Sequence, residues 1–199
     1  MKILILSLLV VIISSCEGKN FDSTQELVTY VNEKDNGYLQ QKVVGGVKFS
    51  LLLRPSDLIA AQEIEQSEKE ANLDSLRDKY KQFLYLNLSF SKSNKEILST
   101  LPATQAQFAS LINELTFNMD EKIHLFDTKK DTFQMLDYIY PRMYGLSKNT
   151  SLLLIFDKNK ISTTENLFLT IEEFGLNTGE VKFRIPADLL KKNLILRNL

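Results

Sequence analysis

Between residues 119 and 185 the apolar side chains recur with a period of two, in short segments at 121–126, 132–140, 151–156, 165–174 and 180–185. Turn-forming residues lie between them, notably Asp157-Lys158-Asn159-Lys160 and Gly175-Leu176-Asn177-Thr178-Gly179. Parallel strands need a crossover of a dozen or more residues, usually helical, and none intervenes here, so this half of the chain predicts antiparallel pairing.

The first half mixes both periods. Segments 38–44 and 47–53 flank Gly45-Gly46, a pair that accepts positive φ at both turn positions and predicts a tight hairpin. Residues 83–90 alternate, with Leu84, Leu86, Leu88 and Phe90 on one face. Ser23 followed by Glu26 marks a helix start, and Asn36-Gly37 its end. Arg54-Pro55-Ser56-Asp57 opens a long helix to about Tyr80, with Leu58, Ala61, Ile64, Leu73, Leu76 and Tyr80 as its apolar stripe. Its charged middle, residues 63–70, reads as a solvated face. Ser93 with Glu96 predicts a further short helix, and Phe108, Leu111, Ile112 and Leu115 predict another over 104–117. The expected class is α+β, with an antiparallel β-rich C-terminal half and several helices in the N-terminal half, forming one domain over residues 22–199.

The N-terminus has a different character. Residues 1–15 read MKILILSLLVVIISS, with Lys2, then an apolar run from Ile3 to Ile13 broken only by Ser7, then two small residues. Eleven residues at about 1.5 Å each fall short of a hydrocarbon core of roughly 30 Å, so the layout is that of an export signal, not of a membrane span.

Ile13-Ser14-Ser15-Cys16 resembles the bacterial lipobox. The resemblance implies that the Cys16 thiol takes a diacylglyceryl group, that a signal peptidase cuts between Ser15 and Cys16, and that the new amine is acylated. Residues 1–15 are then removed, 16–21 form a short tether, and palmitate-type chains hold the domain on a bilayer. Glu17, where Asp would favour the inner membrane of a diderm cell, leans the expected location toward the outer membrane. NGYLQQKVVGGVKFSLLLRPSDLIAAQEI (residues 36–64) and LFLTIEEFGLNTGEVKFRIPADLL (residues 167–190) are similar to segments of small uncharacterised lipoproteins of Bacteroidota, which implies no activity. Asp22-Ser23-Thr24 likewise resembles the O-glycosylation site of that phylum, at a position where Ser23 also serves as a helix cap.

Composition narrows the chemistry. With 24 Lys+Arg against 25 Asp+Glu, the chain lacks the clustered positive charge of nucleic-acid binders. Without Lys2 the net charge is about -2, offering no overall attraction to anionic lipid heads. One cysteine allows neither an internal disulfide nor a thiolate zinc cluster. Nucleophile-elbow, zincin, P-loop and dinucleotide motifs are absent. His124 is the sole histidine, and its alternating surroundings suit a structural role. Ser89 with Lys92 matches a Ser-x-x-Lys pair that arises by chance in so lysine-rich a chain, and Asp157-x-Asn159 lacks the glycine of a calcium loop. No catalytic, metal or cofactor residue is expected. Tyr138, Tyr140 and Tyr144 around Pro141-Arg142 suit either caps of the core or a stacking and interface platform.

The expected function is therefore a lipid-anchored envelope protein that binds or scaffolds an envelope protein, with capture of a small ligand or glycan for uptake as the alternative and a hydrolase third. A sizeable aromatic-lined pocket would favour ligand capture, and an exposed apolar patch a protein partner.

Overall fold

The computed structural model describes residues 18–66, 72–161 and 164–197. In chain order the elements are β1 (Lys19–Phe21), α1 (Thr24–Asn32), β2 (Leu39–Val44), β3 (Val47–Arg54), α2 (Ser56–Gln66), α3 (Leu73–Tyr80), β4 (Phe83–Lys92), α4 (Gln105–Asn113) and α5 (Met119–Lys122). There follow β5 (Ile123–Asp127), β6 (Thr132–Phe133), β7 (Met135–Ile139), β8 (Thr150–Asp157), β9 (Leu167–Ile171), β10 (Val181–Ile185), α6 (Ala187–Lys191) and β11 (Leu194–Leu196).

The hairpin forms where the sequence places it. Gly45 and Gly46 have φ of 57° and 76°, and the turn sets Val44 opposite Val47. That register puts Val47, Phe49, Leu51 and Leu53 on one face, and β4 continues it by pairing Phe49 with Phe90 and Leu51 with Leu88. A five-stranded antiparallel sheet results, in the order β2-β3-β4-β8-β7. A second antiparallel sheet has the order β10-β9-β5-β6. The inward residues of both, including Phe49, Phe90, Phe156, Leu169 and Phe183, belong to one continuous buried cluster.

Two seams join the sheets. On one side the chain passes directly from β6 to β7 through Gln134. On the other, the side chains of Gln40 and Lys42 on edge strand β2 donate to the backbone carbonyls of Arg184 and Lys182 on β10. Polar side chains on β2 thus satisfy the second sheet's edge while leaving a charged, poorly templating strand outside.

The class is α+β with antiparallel main sheets, as expected, and β3, β4 and β8 form the centre of the larger sheet. Three expectations need correction. The helix expected to reach Tyr80 is two helices: Lys79 and Tyr80 both reach Glu63, sixteen and seventeen residues earlier, a separation of about 24 Å on a continuous helix. Residues 67–71 between them lie outside the described part. The helix expected from Ser93 is instead a left-handed turn, Ser93 and Asn94 having φ of 52° and 58°, before a short 3-10 turn at Ile97–Ser99. Finally, residues 16–21 are not all tether. Lys19–Phe21 pairs in parallel with Leu194–Leu196, and Phe21 is buried against Tyr30, because β11 offers unpaired backbone groups and α1 an apolar face.

The β9–β10 turn is organised by one carboxylate. Glu173 accepts from the backbone N–H groups of Gly175, Leu176, Asn177, Thr178 and Gly179 at 2.6–2.8 Å. The turn packs on the hairpin so closely that a Cβ at Gly45 would lie 3.0 Å from the Asn177 carbonyl oxygen. Burial raises the Glu173 pKa, but the hydrogen bonds from this turn outweigh it, and the net shift is below the ordinary glutamate value of 4.5. A lowered folded pKa means stabilisation that is complete above 4.5 and lost as the pH falls through the folded value. The amide resonances of residues 175–179 are expected to shift together in acid with an apparent pKa below 4.5, and a Glu173→Gln protein should show no such titration. An acid titration of these amides that persists unchanged in the Glu173→Gln protein would remove this role from Glu173.

Candidate functional site

Large apolar side chains remain exposed around β7 and the segment after it: Phe117, Leu136, Ile139, Met143, Tyr144 and Leu146. Tyr144 and Leu146 are 84% and 88% exposed, far beyond what a residue capping the core shows. Strand β7 is the edge of its sheet, and among the described residues its outer side receives no backbone hydrogen bond.

Local sequence explains each part. Thr104 and Gln107 form a capping box that starts α4, and Leu111, Leu115 and Met119 then repeat every four residues toward the core. A four-residue repeat drifts by about 40° per turn on an α-helix. The wider π turn at Glu114–Asn118 absorbs this drift, keeps Leu115 and Met119 buried, and leaves Phe117 outside. The Tyr138 hydroxyl approaches the Met119 amide at 3.5 Å, and Arg142 donates to Thr116 Oγ1 at 2.9 Å, which joins this helical segment to β7 and its following loop.

The loop itself is held by Glu96. This carboxylate is 5% exposed and accepts from Gly145 N at 2.8 Å and Ser147 N at 3.2 Å. Its position is fixed in turn by the Ile97 amide, which donates to the buried Thr150 hydroxyl. Tyr144 and Gly145 have φ of 50° and 85°, so the chain turns sharply and presents Met143, Tyr144 and Leu146 outward. An unpaired edge beside fixed apolar side chains can accept an extended segment of another protein, backbone to backbone, with side chains seated on the loop.

Position within the fold adds direction. Ile139 pairs with Leu153 in the middle of β8, and the loop that follows is held by Glu96 toward the end of the sheet that carries Thr150 and the Gly45-Gly46 turn. Gly18 and β1 lie at the opposite end, against Asn193 and β11, whose Leu194 and Ile195 share a cleft with Arg54 and Phe83. A central strand of eight to ten residues at about 3.4 Å each separates the two ends by roughly 25–30 Å.

The residues singled out by sequence fall as follows. Cys16 and Ser15 lie outside the described residues. Tyr138 and Tyr140 are half-buried on the core, where burial raises the pKa of both, whereas Tyr144 is a surface group. His124 is on the outer face of the second sheet, 2.8 Å from Glu172, whose carboxylate also faces Lys122. Ser89 and Lys92 both lie on β4, where a spacing of three places side chains on opposite faces. Asp157 caps a 3-10 turn through the Asn159 amide, in a connection between different sheets and not in a hairpin. Glu96 was read as a helix-starting residue, and no local signal could have shown that its partners lie about fifty residues later.

Comparison with known proteins leaves the family open. No protein-family model matches the chain, and no curated protein does. Among solved structures, a novel protein of unknown function from Burkholderia pseudomallei K96243 aligns with a TM-score of 0.43 and 13% identity, over 84% of this chain and 86% of that one. A DUF4426 family protein from Pseudomonas aeruginosa PAO1 aligns with a TM-score of 0.39 and 12% identity, over 74% of this chain and 91% of that one.

Proposed function

We propose that this protein is a lipid-anchored envelope component that docks an envelope protein partner at the exposed edge of β7. The reading rests on one observation above the others: the edge strand β7, unpaired among the described residues, leads into a loop whose exposed Tyr144 and Leu146 are tied through Glu96 to the end of the sheet away from β1. Acyl chains on Cys16 would hold the N-terminal end at the bilayer, and the loop that follows the docking edge would lie away from it. Confinement to that layer raises the effective concentration of partners held there, so modest affinity suffices. Outer-membrane placement follows from Glu17 in the same reading.

Photo-crosslinking side chains placed singly at Ile139, Leu146 and Arg184 test it in cells. One discrete adduct with the same partner is expected from Ile139 and Leu146, with none from Arg184 on the outer face of the other sheet. A Glu96→Ala background should lower that adduct at least fivefold, because the loop loses the carboxylate that orders it. Equal adducts from all three positions, or adducts only with a second copy of this chain, would overturn the assignment.

A further inference from the structure

A cleft of about 260 Å³ opens at the other end of the sheet, where β11 and α6 meet α2, α3 and β4. Leu53, Leu84, Leu189, Leu190 and Leu194 supply apolar wall, and Tyr38, Phe83 and Tyr85 aromatic wall. Five cationic residues line it as well: Arg54, Arg77, Lys81, Lys158 and Lys192. Among the described residues the one carboxylate in the lining is Asp57, and its oxygens are already occupied by Arg77 and the Leu196 amide.

This concentration of positive charge departs from the chain as a whole, whose formal net charge is -1. Arg77 is neutralised by Asp57 and Asp74, and Lys81 by Asp78. Arg54, Lys158 and Lys192 have no carboxylate partner among the described residues. Among the described residues the guanidinium of Arg54 meets the neutral amide of Gln62 and no carboxylate, and burial lowers its pKa, the mark of a cation set in a poorly solvated place. Tyr38 adds a second anomaly. It is 3% exposed, and its hydroxyl has no hydrogen-bond partner. Buried hydroxyls are rarely left without a partner, because desolvation then goes uncompensated.

Uncompensated cations, an orphan hydroxyl and leucine walls around one small volume share an explanation. A liquid water molecule takes about 30 Å³, so the cleft has room for a group of on the order of nine waters. We infer that this cleft binds a small amphipathic anion, with one carboxylate or phosphate head against Lys158 and Lys192 and a short apolar body against the leucines. Lysines suit such a head because they act as point charges without demanding a planar bidentate partner. The cleft is separate from the β7 edge, and the inference does not depend on the docking partner or on how the chain is anchored.

Isothermal titration of the full mature protein in neutral detergent tests this, using hexanoate, hexyl phosphate, hexanol, inorganic phosphate and dihexanoyl phosphatidic acid as probes. Hexanoate or hexyl phosphate is expected to bind one to one, at least tenfold more tightly than hexanol or inorganic phosphate. Lys158→Gln and Lys192→Gln should each weaken binding at least fivefold, Tyr38→Phe about threefold, and Lys48→Gln, away from the cleft, not at all. Thermal melts of each variant separate lost affinity from lost fold. Dihexanoyl phosphatidic acid binding as tightly as hexyl phosphate would assign the anion to a membrane lipid, and binding of single-chain probes alone to a soluble metabolite. Hexanol binding as well as the anions, or affinity unchanged in both lysine variants, would overturn the inference.

Discussion

Asp57→Ala is expected to destabilise the folded domain by about 3 kcal/mol, the lower end of what removing one partner of a buried ion pair costs. Asp57 is 3% exposed and meets Arg77 through Nε at 3.1 Å and Nη2 at 2.9 Å. The same carboxylate accepts from the Leu196 amide at 2.9 Å, while Arg77 Nη2 donates to the Leu196 carbonyl at 2.7 Å. One ion pair therefore ties α2 and α3 to the final strand, and through β11 to β1. Alanine leaves the Leu196 amide without its acceptor and the guanidinium with only the exposed Asp74 and the Leu196 carbonyl. At about 2–4 °C per kcal/mol for a domain of this size, the melting temperature should fall by roughly 6–12 °C. Calorimetry of wild type, Asp57→Ala, Arg77→Met and the double variant would show a large coupling between the two sites. A melting temperature within 2 °C of wild type would contradict the clamp.

The second large effect concerns Cys16. Cys16→Ala is expected to move the protein from a nearly complete membrane fraction to either a soluble form or an uncut precursor that still carries residues 1–15. Each acyl CH₂ contributes about 0.8 kcal/mol on burial, so two or three long chains make dissociation negligible, whereas the unmodified domain has no comparable apolar anchor. Carbonate-washed membranes and intact mass distinguish the outcomes: wild type should carry the mass of the acyl groups on a chain beginning at residue 16, and the variant should not. A Cys16→Ala protein that stays in washed membranes and is cut normally would contradict the lipobox reading.

These predictions differ in how much structure they need. The Cys16 test follows from a linear motif, since signal recognition reads residues in sequence. The Asp57 test does not, because Asp57 looked like an ordinary first-turn residue of a helix. Burial by α3 and β11, elements that begin 16 and 137 residues further on, makes it a clamp. The same holds at the candidate docking face. By sequence Tyr144 belongs to a tyrosine group that suits either the core or an interface, and the Glu96 carboxylate that fixes its loop is invisible until β4 and β8 pair.

Local physics was legible throughout: Gly45-Gly46 specified its turn through two positive φ values, Ser23 and Thr104 specified helix starts through orphan amides, and alternating leucines specified strands and their inward faces. Each depends on groups within about four residues of one another, so composition and spacing carry it. Three things were settled only in the tertiary structure. Residues 132–140 divide between two sheets at Gln134, the helix from Ser56 folds back on itself, and four separated segments bring five cations to one cleft. All three are set by which surfaces pack together over long stretches of chain. Periodicity states that a face is buried and does not state against what.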